Sequence, residues 1–377
     1  MRDEKLTRTL ESPFQNILKK KGIDHVSAAV ATGNGSFYWN ESFGTADENG
    51  RPMDTETPFF IASVTKLFIA ASIFILRDRG RLDLNSPLPS LLPASMCDRL
   101  HIWKKEDLTD RITPMHLLCH ASGLPDWLAD RNNILKNGFT DRYYSIEDAV
   151  RHVREEMTPH FPPSDVFGKR VKIRYSDTGY QLLIAIIEHV LEKPVEEAFK
   201  ELVLDPADLQ HTWFAGKTPP DGVKEPALIR DGSTSFPYPA LLASSRDLYS
   251  TCDDLLIFYR AVQNGLLFDS VRTRDDMQFR WNRFGVPGFS GAIQSPGWPI
   301  EYAAGTMRFR TPWLFRLFGT YPELTGHTGV TGSWLFYNRA GDFYCCGTVS
   351  QIQQASFPFR MIPDIASLVA RHINDAT

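Results

Sequence analysis

The sequence has no marked excess of charge of either sign and no apolar run long enough to cross a membrane. Its 377 residues include 41 Lys and Arg against 45 Asp and Glu, a formal net charge of −4. This balance gives no indication of nucleic acid or of an acidic membrane as a partner. The longest apolar stretch, residues 67–76, is bounded by Lys66 and Arg77 and is too short for a bilayer. We interpret it as a buried helix.

Cysteines are few, and they follow no regular spacing. An odd number without a pattern argues against a disulfide framework, so a reducing compartment is expected. The first 22 residues carry charges throughout and contain no apolar run, so no secretory signal is visible. These features together predict a cytoplasmic protein. The five cysteines are Cys97, Cys119, Cys252, Cys345 and Cys346.

Strand patterns lie near both ends of the chain, and helical patterns fill the middle. Residues 25–32 and 36–39 flank Gly33-Asn34-Gly35, a strong hairpin signal, and residues 334–337 and 343–349 form a second hairpin pattern. The interpretation is an α/β fold, an antiparallel β-sheet flanked by helices with an inserted helical domain. The expected division is an α/β lobe from residues 1–80 and 245–377 and a mostly helical lobe from 81–244, with the active site in the cleft between them.

Helical periodicity predicts the individual helices. Leu6, Leu10, Phe14, Ile17 and Leu18 recur at helical spacing near the N-terminus. Further helices are expected over residues 63–80, 179–191, 253–262 and 362–373, whereas residues 265–325 show no regular pattern.

The segment from Ile61 to Lys66 has the residue types of a nucleophile and its base. A serine hydroxyl is a weak nucleophile and needs a base close by. Ser63 and Lys66 are three residues apart, so on a helix they share one face. A serine at a helix N-terminus also has free backbone N–H groups beside it. Alone the pattern is a weak signal, because serine and lysine are both common.

Two further motifs follow in a set order, namely Tyr175-Ser176-Asp177 and His327-Thr328-Gly329. With Ser63-x-x-Lys66 they resemble the serine β-lactamase and penicillin-binding-protein family, in particular its class-C-like branch of esterases, D-amino-acid peptidases and transacylases. The resemblance extends over about residues 20 to 355 and is weakest from 265 to 325. The matching blocks read FFIASVTKL (59–67), LLCHASGLP (117–125), YSDTGYQLL (175–183) and GHTGVTG (326–332).

The resemblance implies a role for each motif residue. Ser63 would attack a carbonyl and form an acyl-enzyme, with Lys66 and Tyr175 sharing the work of base and acid. Which of the two is the base stays open. The backbone N–H groups of Ser63 and Val330 would form the oxyanion hole. His327 is expected on a strand at the cleft edge, hydrogen-bonded to Tyr175 or to substrate. Asp177, His327, Thr328 and Gly329 are the expected substrate-binding residues.

Two positions depart from the family pattern. Asp177 stands where asparagine is usual, and an ionised carboxylate cannot donate a hydrogen bond to a substrate amide. It would also raise the pKa of Lys66 and shift more of the base role to Tyr175. An amine or other donor on the substrate could meet it instead. His327 stands where β-lactamases have lysine, and histidine is mostly neutral at pH 7. Both changes disfavour β-lactam hydrolysis.

The leading hypothesis is a serine hydrolase that cleaves an ester or amide bond of a small molecule. An acyltransferase that uses the same acyl-serine is the main alternative. A true β-lactamase or D-Ala-D-Ala carboxypeptidase is less favoured, and a non-catalytic binding module is disfavoured. Neither nucleic acid nor a membrane is expected as a partner, and the oligomeric state stays open.

No metal or cofactor is expected. His116, Cys119 and His120 are spaced like zinc ligands but lack an evident further ligand. The arginines and aromatics of residues 280–316 are expected to shape the acyl-binding wall.

Overall fold

The computed structural model describes residues 4–20, 22–128, 141–283, 300–310 and 322–375, and an eight-stranded sheet forms the centre of this part of the chain. The sheet order is β3-β4-β5-β6-β7-β8-β1-β2, and every neighbouring pair is antiparallel. In chain order the strands are β1 (His25–Thr32), β2 (Tyr38–Gly44), β3 (Asn282–Arg283), β4 (Ile300–Tyr302), β5 (Met307–Phe309), β6 (Leu324–Thr328), β7 (Trp334–Asn338) and β8 (Phe343–Thr348).

Helices cover both faces of this sheet, and the alternation along β1 shows why. Val26, Ala28 and Val30 belong to one apolar cluster, whereas Ala29 and Ala31 belong to the other. Successive side chains of a strand point to opposite faces, so a strand covered on both sides is buried at every position, as β1 is. The six longest helices among the described residues are α1 (Glu4–Ile17), α2 (Thr65–Asp78), α3 (Ile146–Glu156), α4 (Asp177–Leu191), α5 (Cys252–Gln263) and α6 (Phe357–Asp375).

The two terminal helices pack on the same face of the sheet. Phe14 of α1 stacks on Trp39 and on Trp334, with ring centroids 5.3 and 6.3 Å apart. Ile362 of α6 lies in the same buried cluster. Helix α5 packs on the opposite face, against β1 and β8, in a larger cluster that also contains α2 and α4. The two ends of the chain therefore share one core.

A second, three-stranded sheet lies next to the start of α2. Phe59–Phe60 pairs with Leu248–Ser250, which also pairs with Trp213–Phe214. Two-stranded ribbons join Ile102–Trp103 to Glu106–Asp107 and Arg230–Asp231 to Thr234–Ser235. Shorter helices occupy Ala94–Cys97, Pro114–Leu118, Val195–Phe199, Pro239–Ser245 and Thr273–Met277, with single helical turns at Ala62–Val64, Leu88–Ser90, Thr109–Arg111, Lys200–Leu204 and Ile352–Gln354.

The antiparallel sheet flanked by helices, with hairpins at both ends of the chain, is confirmed. The division into two lobes remains a prediction. Residues 265–283 and 300–325 were expected to be irregular, yet their described parts include β3, β4 and β5. These strands have two or three residues each, too few for an alternating pattern to be visible. Within the described residues, no helix combines the length and the apolar character needed to cross a membrane.

Candidate active site

Ser63 lies in a single 3₁₀ turn, Ala62–Val64, that leads directly into α2. The backbone of Ala62 is in the left-handed region with φ of 47°, a conformation that costs free energy for a residue with a Cβ atom. Neighbouring elements hold this turn in place. The hydroxyl of Ser333 donates to the carbonyl of Ile61 at 2.7 Å, and that of Thr331 donates to the carbonyl of Phe60 at 3.1 Å. The position of the Ser63 side chain is therefore fixed from both sides.

Two proton donors converge on the Ser63 hydroxyl. The Nζ of Lys66 lies 3.1 Å from Oγ, and the hydroxyl of Tyr175 lies 2.8 Å from it. The ammonium of Lys66 also lies over the rings of Tyr175 and Tyr180, 4.9 and 5.1 Å from their centroids. This arrangement joins nucleophile, lysine and tyrosine through direct hydrogen bonds, the contacts that a proton transfer from the serine requires.

Asp177, the first residue of α4, forms an ion pair with Lys66. Burial is the largest single effect and lowers the pKa of Lys66, but the charge and hydrogen bond of Asp177 together with the charges of Tyr175 and Asp247 outweigh it, and the pKa lies well above 10.5. The rise expected from an aspartate at this position is therefore present. Burial also raises the pKa of Tyr175 well above 10. Lys66 is therefore protonated and Tyr175 neutral at pH 7.

Two backbone N–H groups near the Ser63 hydroxyl are available to bind a substrate oxygen. Those of Ser63 and Val330 donate to no acceptor in the part of the chain that the structure describes. Gly329 permits the close approach, because a Cβ atom there would lie 2.2 Å from the Ser333 hydroxyl and 2.6 Å from the Ile61 carbonyl. A carbonyl oxygen bound between two such N–H groups gains the stabilisation that its developing negative charge needs.

A cavity of about 110 Å³ opens next to the Ser63 side chain. One part of its wall is apolar and another part is acidic, and Tyr175 and Val330 both contribute to it. Its apolar residues are Phe60, Leu128, Phe236, Leu241, Leu242, Val330 and Ile352, and its carboxylates are Asp126, Asp177 and Asp247.

The sequence model of the Beta-lactamase family matches residues 10–349 of this chain. The chain belongs to the beta-lactamase family. It is therefore a serine hydrolase of the β-lactamase-like fold. Esterase EstB of Burkholderia gladioli is 26% identical over 338 residues, which is 80% of each protein. Penicillin-binding protein 4* of Bacillus subtilis is 27% identical over 210 residues, or 54% of this chain and only 40% of that protein.

Solved structures show the same fold. D-amino acid amidase from Ochrobactrum anthropi SV3, complexed with L-phenylalanine amide, has a TM-score of 0.75 and 21% identity over 98% of this chain and 99% of that one. EstCE1, described as a hydrolase with promiscuous acyltransferase activity, has a TM-score of 0.69 and 19% identity over 97% and 99% of the two chains. At these identities the likeness concerns the fold alone.

His327 lies behind the site in this member of the beta-lactamase family. Its side chain is fully buried, its Nδ1–H donates to the carbonyl of Thr328 at 2.7 Å, and its Nε2 accepts from the hydroxyl of Tyr302 at 3.1 Å. Burial lowers the pKa of His327 to about 3, so the ring is neutral. The expected hydrogen bond to Tyr175 or a substrate is replaced by the bond to Tyr302, and the rings of His327 and Tyr175 lie 6.4 Å apart.

Thr328 and Gly329, the other residues of the third motif, do not present side chains to the cavity. The Thr328 hydroxyl contacts the sulfur of Met307 at 3.8 Å, and the side chain is buried. Neither Thr328 nor Gly329 lines the cavity, whereas Asp177 does. The third motif therefore shapes the site mainly by bringing Val330 next to Ser63.

Of the segment 280–316 that was expected to form the acyl-binding wall, the described residues 280–283 and 300–310 do not line the cavity. Arg308 stacks on Trp281, 4.4 Å from its ring centroid, and pairs with Glu301. Phe284, Phe289, Trp298, Trp313 and Arg316 lie outside the described residues.

Sequence reasoning missed Asp126, Asp247 and the apolar group Phe236, Leu241 and Leu242. Asp126 follows directly after the block that ends at Pro125, and this position could have drawn attention. The other four lie outside the matching blocks, and only the fold brings them to Ser63.

His116 and His120, whose spacing with Cys119 resembles that of zinc ligands, form hydrogen bonds within the protein. His116 Nδ1 lies 2.8 Å from the hydroxyl of Thr113, and His120 accepts from the N–H of Ser176 at 3.2 Å. Over the described ranges, no group of three or more His, Cys, Asp or Glu side chains is placed to hold a metal.

Proposed function

We propose that this protein cleaves an ester or amide bond of a small molecule through an acyl-enzyme on Ser63. The observation that carries the proposal is the convergence of Lys66 and Tyr175 on the Ser63 hydroxyl, at 3.1 and 2.8 Å, beside a cavity. The names of the esterase and amidase relatives support the choice of bond.

The reactive form is the one in which the Lys66–Tyr175 pair has lost one proton to solvent. The Ser63 oxygen attacks the substrate carbonyl, and its proton passes to the site that the pair has left free. The oxyanion lies between the N–H groups of Ser63 and Val330. The carbonyl bond to the leaving group then breaks, and the leaving group departs with the proton from the pair. Water attacks the acyl-serine in the same way, which releases the acid and restores Ser63.

A second candidate is transfer of the acyl group to an amine or alcohol. The apolar walls from Phe236, Leu241 and Leu242 support it, because a cavity poor in ordered water favours an organic acceptor over hydrolysis. Adding an amine or alcohol to a p-nitrophenyl ester assay separates the two. A transferase yields the new amide or ester as the main product, whereas a hydrolase yields the free acid.

β-Lactams are poor substrates in this proposal. Penicillins carry a carboxylate, and the cavity presents Asp126, Asp177 and Asp247 to it. His327, in the position of the β-lactamase lysine, is neutral and buried, so it offers no compensating charge. The same reasoning disfavours peptides that end in a free D-Ala carboxylate.

A cytoplasmic location and the two-lobed division of the chain also belong to this proposal. All five cysteines are free and buried, which supports a reducing compartment. Asp126 and Asp177 on the cavity wall come from the expected helical lobe, whereas Ser63, Asp247 and Val330 come from the expected α/β lobe.

The test is labelling with a fluorophosphonate and mass spectrometry of the adduct, together with p-nitrophenyl ester hydrolysis. We expect an adduct on Ser63 in the wild type, and no adduct with at least about a thousandfold lower hydrolysis in Ser63→Ala. Ser72→Ala is the matched control, since Ser72 is buried in α2, the helix that follows Ser63, and its hydroxyl donates to the carbonyl of Phe68 at 3.0 Å. Full activity in folded Ser63→Ala would exclude the proposed nucleophile.

A further inference from the structure

The active-site cavity carries more negative than positive charge. Three aspartates line it, and Lys66 is the cation whose charge acts on Asp126 and Asp247. Asp177 is already paired with Lys66. Asp126 and Asp247 form no ion pair within the described chain and remain as uncompensated carboxyl groups next to the nucleophile.

Asp126 is held in a fixed orientation. The residue is only 5% exposed, and one of its oxygens accepts the N–H of Leu128 at 3.0 Å. A further backbone hydrogen bond comes from Asp177. These bonds orient the carboxyl group without neutralising it, and the residue forms part of the cavity wall. A buried carboxylate in this state is stabilised by any cation that enters the cavity.

Asp247 contributes to the same wall from another element. It precedes the strand Leu248–Ser250, and its backbone bonds to Ser245 and Ala215 fix its position. Burial raises the pKa of Asp247 to about 6 and that of Asp126 to about 7. Both groups are therefore costly to ionise in the empty cavity, the condition that a bound cation relieves.

We propose that the substrate carries a protonated amine close to its scissile ester or amide bond, and that Asp126 and Asp247 bind this ammonium group. The inference rests on the proposed function and specifies its substrate class. Carboxylates that accept hydrogen bonds from an ammonium group form charge-assisted bonds, about twice as strong as neutral ones. The apolar residues Phe236, Leu241 and Leu242 then contact the hydrocarbon part of the substrate.

Binding of the ammonium group is coupled to proton release from the two carboxyl groups. Asp126 faces Asp177 and Lys66, and Asp247 faces the same pair together with Thr65 and Ser245. An ammonium group favours the ionised forms, so preference for a cationic substrate rises from pH 5 toward pH 7, above which an amine next to an ester or amide carbonyl begins to lose its own proton, because α-amino groups have pKa values of about 7.7 to 8.0.

The experiment compares glycine p-nitrophenyl ester with p-nitrophenyl acetate, which differ only by the amino group. The measured quantity is the ratio of their kcat/KM values in each enzyme, so the different intrinsic reactivities of the esters cancel between variants. We expect this ratio to fall about tenfold in Asp126→Asn and in Asp247→Asn, and further in the double variant. Asp269→Asn, an exposed site outside the cavity, keeps the wild-type ratio.

A second measurement needs no substitution and so does not depend on the variants folding. Benzylammonium should inhibit wild-type hydrolysis of p-nitrophenyl acetate at least about tenfold more strongly than benzyl alcohol, and more strongly at pH 7.5 than at pH 5.5. Equal inhibition by the two compounds, or an unchanged ester ratio in the folded double variant, overturns the inference alone. Absence of both hydrolysis and Ser63 labelling in the wild type overturns the proposed function and the inference with it.

Discussion

At the scale of single residues, the ion pair between Lys66 and Asp177 distinguishes this site from one with asparagine at position 177. An amide would donate to a substrate and leave the lysine less strongly charged. The aspartate instead raises the pKa of Lys66, which keeps its proton at neutral pH. The Tyr175–Lys66 pair must therefore lose one proton before it can accept the proton of Ser63, so the reaction rate should rise with pH.

Replacing Asp177 with asparagine tests this dependence. Burial alone lowers the pKa of Lys66, so the Asp177→Asn variant has a lower lysine pKa and more of the neutral amine at pH 8 to 9. We expect the rising limb of the kcat/KM profile for a p-nitrophenyl ester to move to lower pH. Acylation by fluorescent penicillin should increase about tenfold, because one repulsive charge is lost and a donor is gained.

The control for this substitution is Asp269→Asn, which removes one carboxylate far from the cavity wall. Superimposable pH profiles and unchanged penicillin labelling in Asp177→Asn would show that Asp177 faces away from the reaction.

At the scale of elements, the site depends on how closely the end of β6 approaches the turn that carries Ser63. The third motif is Gly-His-Thr-Gly, yet the side chains of His327 and Thr328 point into the protein, toward Tyr302 and Met307. Their packing holds the strand, and the glycine that follows lets Val330 reach the nucleophile. The motif thus specifies a backbone position more than a set of contacting side chains.

Substituting Gly329 with alanine tests whether close packing of the end of β6 against the Ser63 turn is needed for catalysis. The added Cβ would lie 2.2 Å from the Ser333 hydroxyl and 2.6 Å from the Ile61 carbonyl, so the turn or the strand must move. A displaced oxyanion donor costs about a hundredfold or more in kcat. We expect kcat in an ester assay to fall by this amount, with a smaller change in KM and a lower Tm.

Gly179→Ala is a suitable control for that variant. It lies at the start of α4, and its added Cβ would meet Leu117 at an ordinary contact distance of 3.7 Å. Wild-type kcat in Gly329→Ala would mean that the backbone at Val330 does not bind the oxyanion.

At the scale of the whole molecule, one core joins the two ends of the chain and buries several histidines in their neutral form. Burial lowers the pKa of His25 to about 4 and that of His327 to about 3, against 6.5 in the unfolded chain. Their contribution to stability is full above pH 6.5 and is lost as pH falls toward these values. The free energy of unfolding then decreases by up to about 1.4 kcal/mol per pH unit for each group.

Asp126 and Asp247 change the stability with pH in the opposite direction to the histidines. Their folded pKa values, about 7 and about 6, lie above those of the unfolded chain, so the stability they contribute is lost as pH rises through this range. Between pH 4.5 and 6 these two carboxyl groups offset His25 and His327, but burial also lowers the pKa values of His101, His116 and His120. We therefore expect a net fall in Tm from pH 6.5 to pH 4.5, measured by calorimetry.

His25→Asn is the variant that isolates one histidine, since its amide can still donate to the Thr45 carbonyl that lies 3.0 Å from His25 Nδ1. It should reduce the fall in Tm between pH 6.5 and 4.5. An identical fall in the variant would mean that His25 is not titrating as its burial implies.

The sequence by itself determined the sheet with hairpins at both ends, the helices and the family, because strand and helix periodicities and ordered motifs are local properties. It also predicted Lys66, Tyr175 and Asp177, which lie at Ser63, because ordered motifs imply one site, whereas the predicted substrate-binding residues His327 and Thr328 point away from the cavity. The effect of Asp177 on Lys66 likewise followed from residue chemistry, once the two were assumed to be neighbours.

Only the tertiary structure decided what surrounds those motifs. Asp126 and Asp247 are 121 residues apart and belong to no common pattern, yet the fold places both on the wall of one cavity. His327 is the opposite case, a residue that the sequence placed at the site and the fold turns away from it. Its side chain bonds to Tyr302, which lies on a strand too short to be recognised from the sequence. Charge and burial at the site depend on contacts between distant segments, and packing of the whole chain determines these contacts.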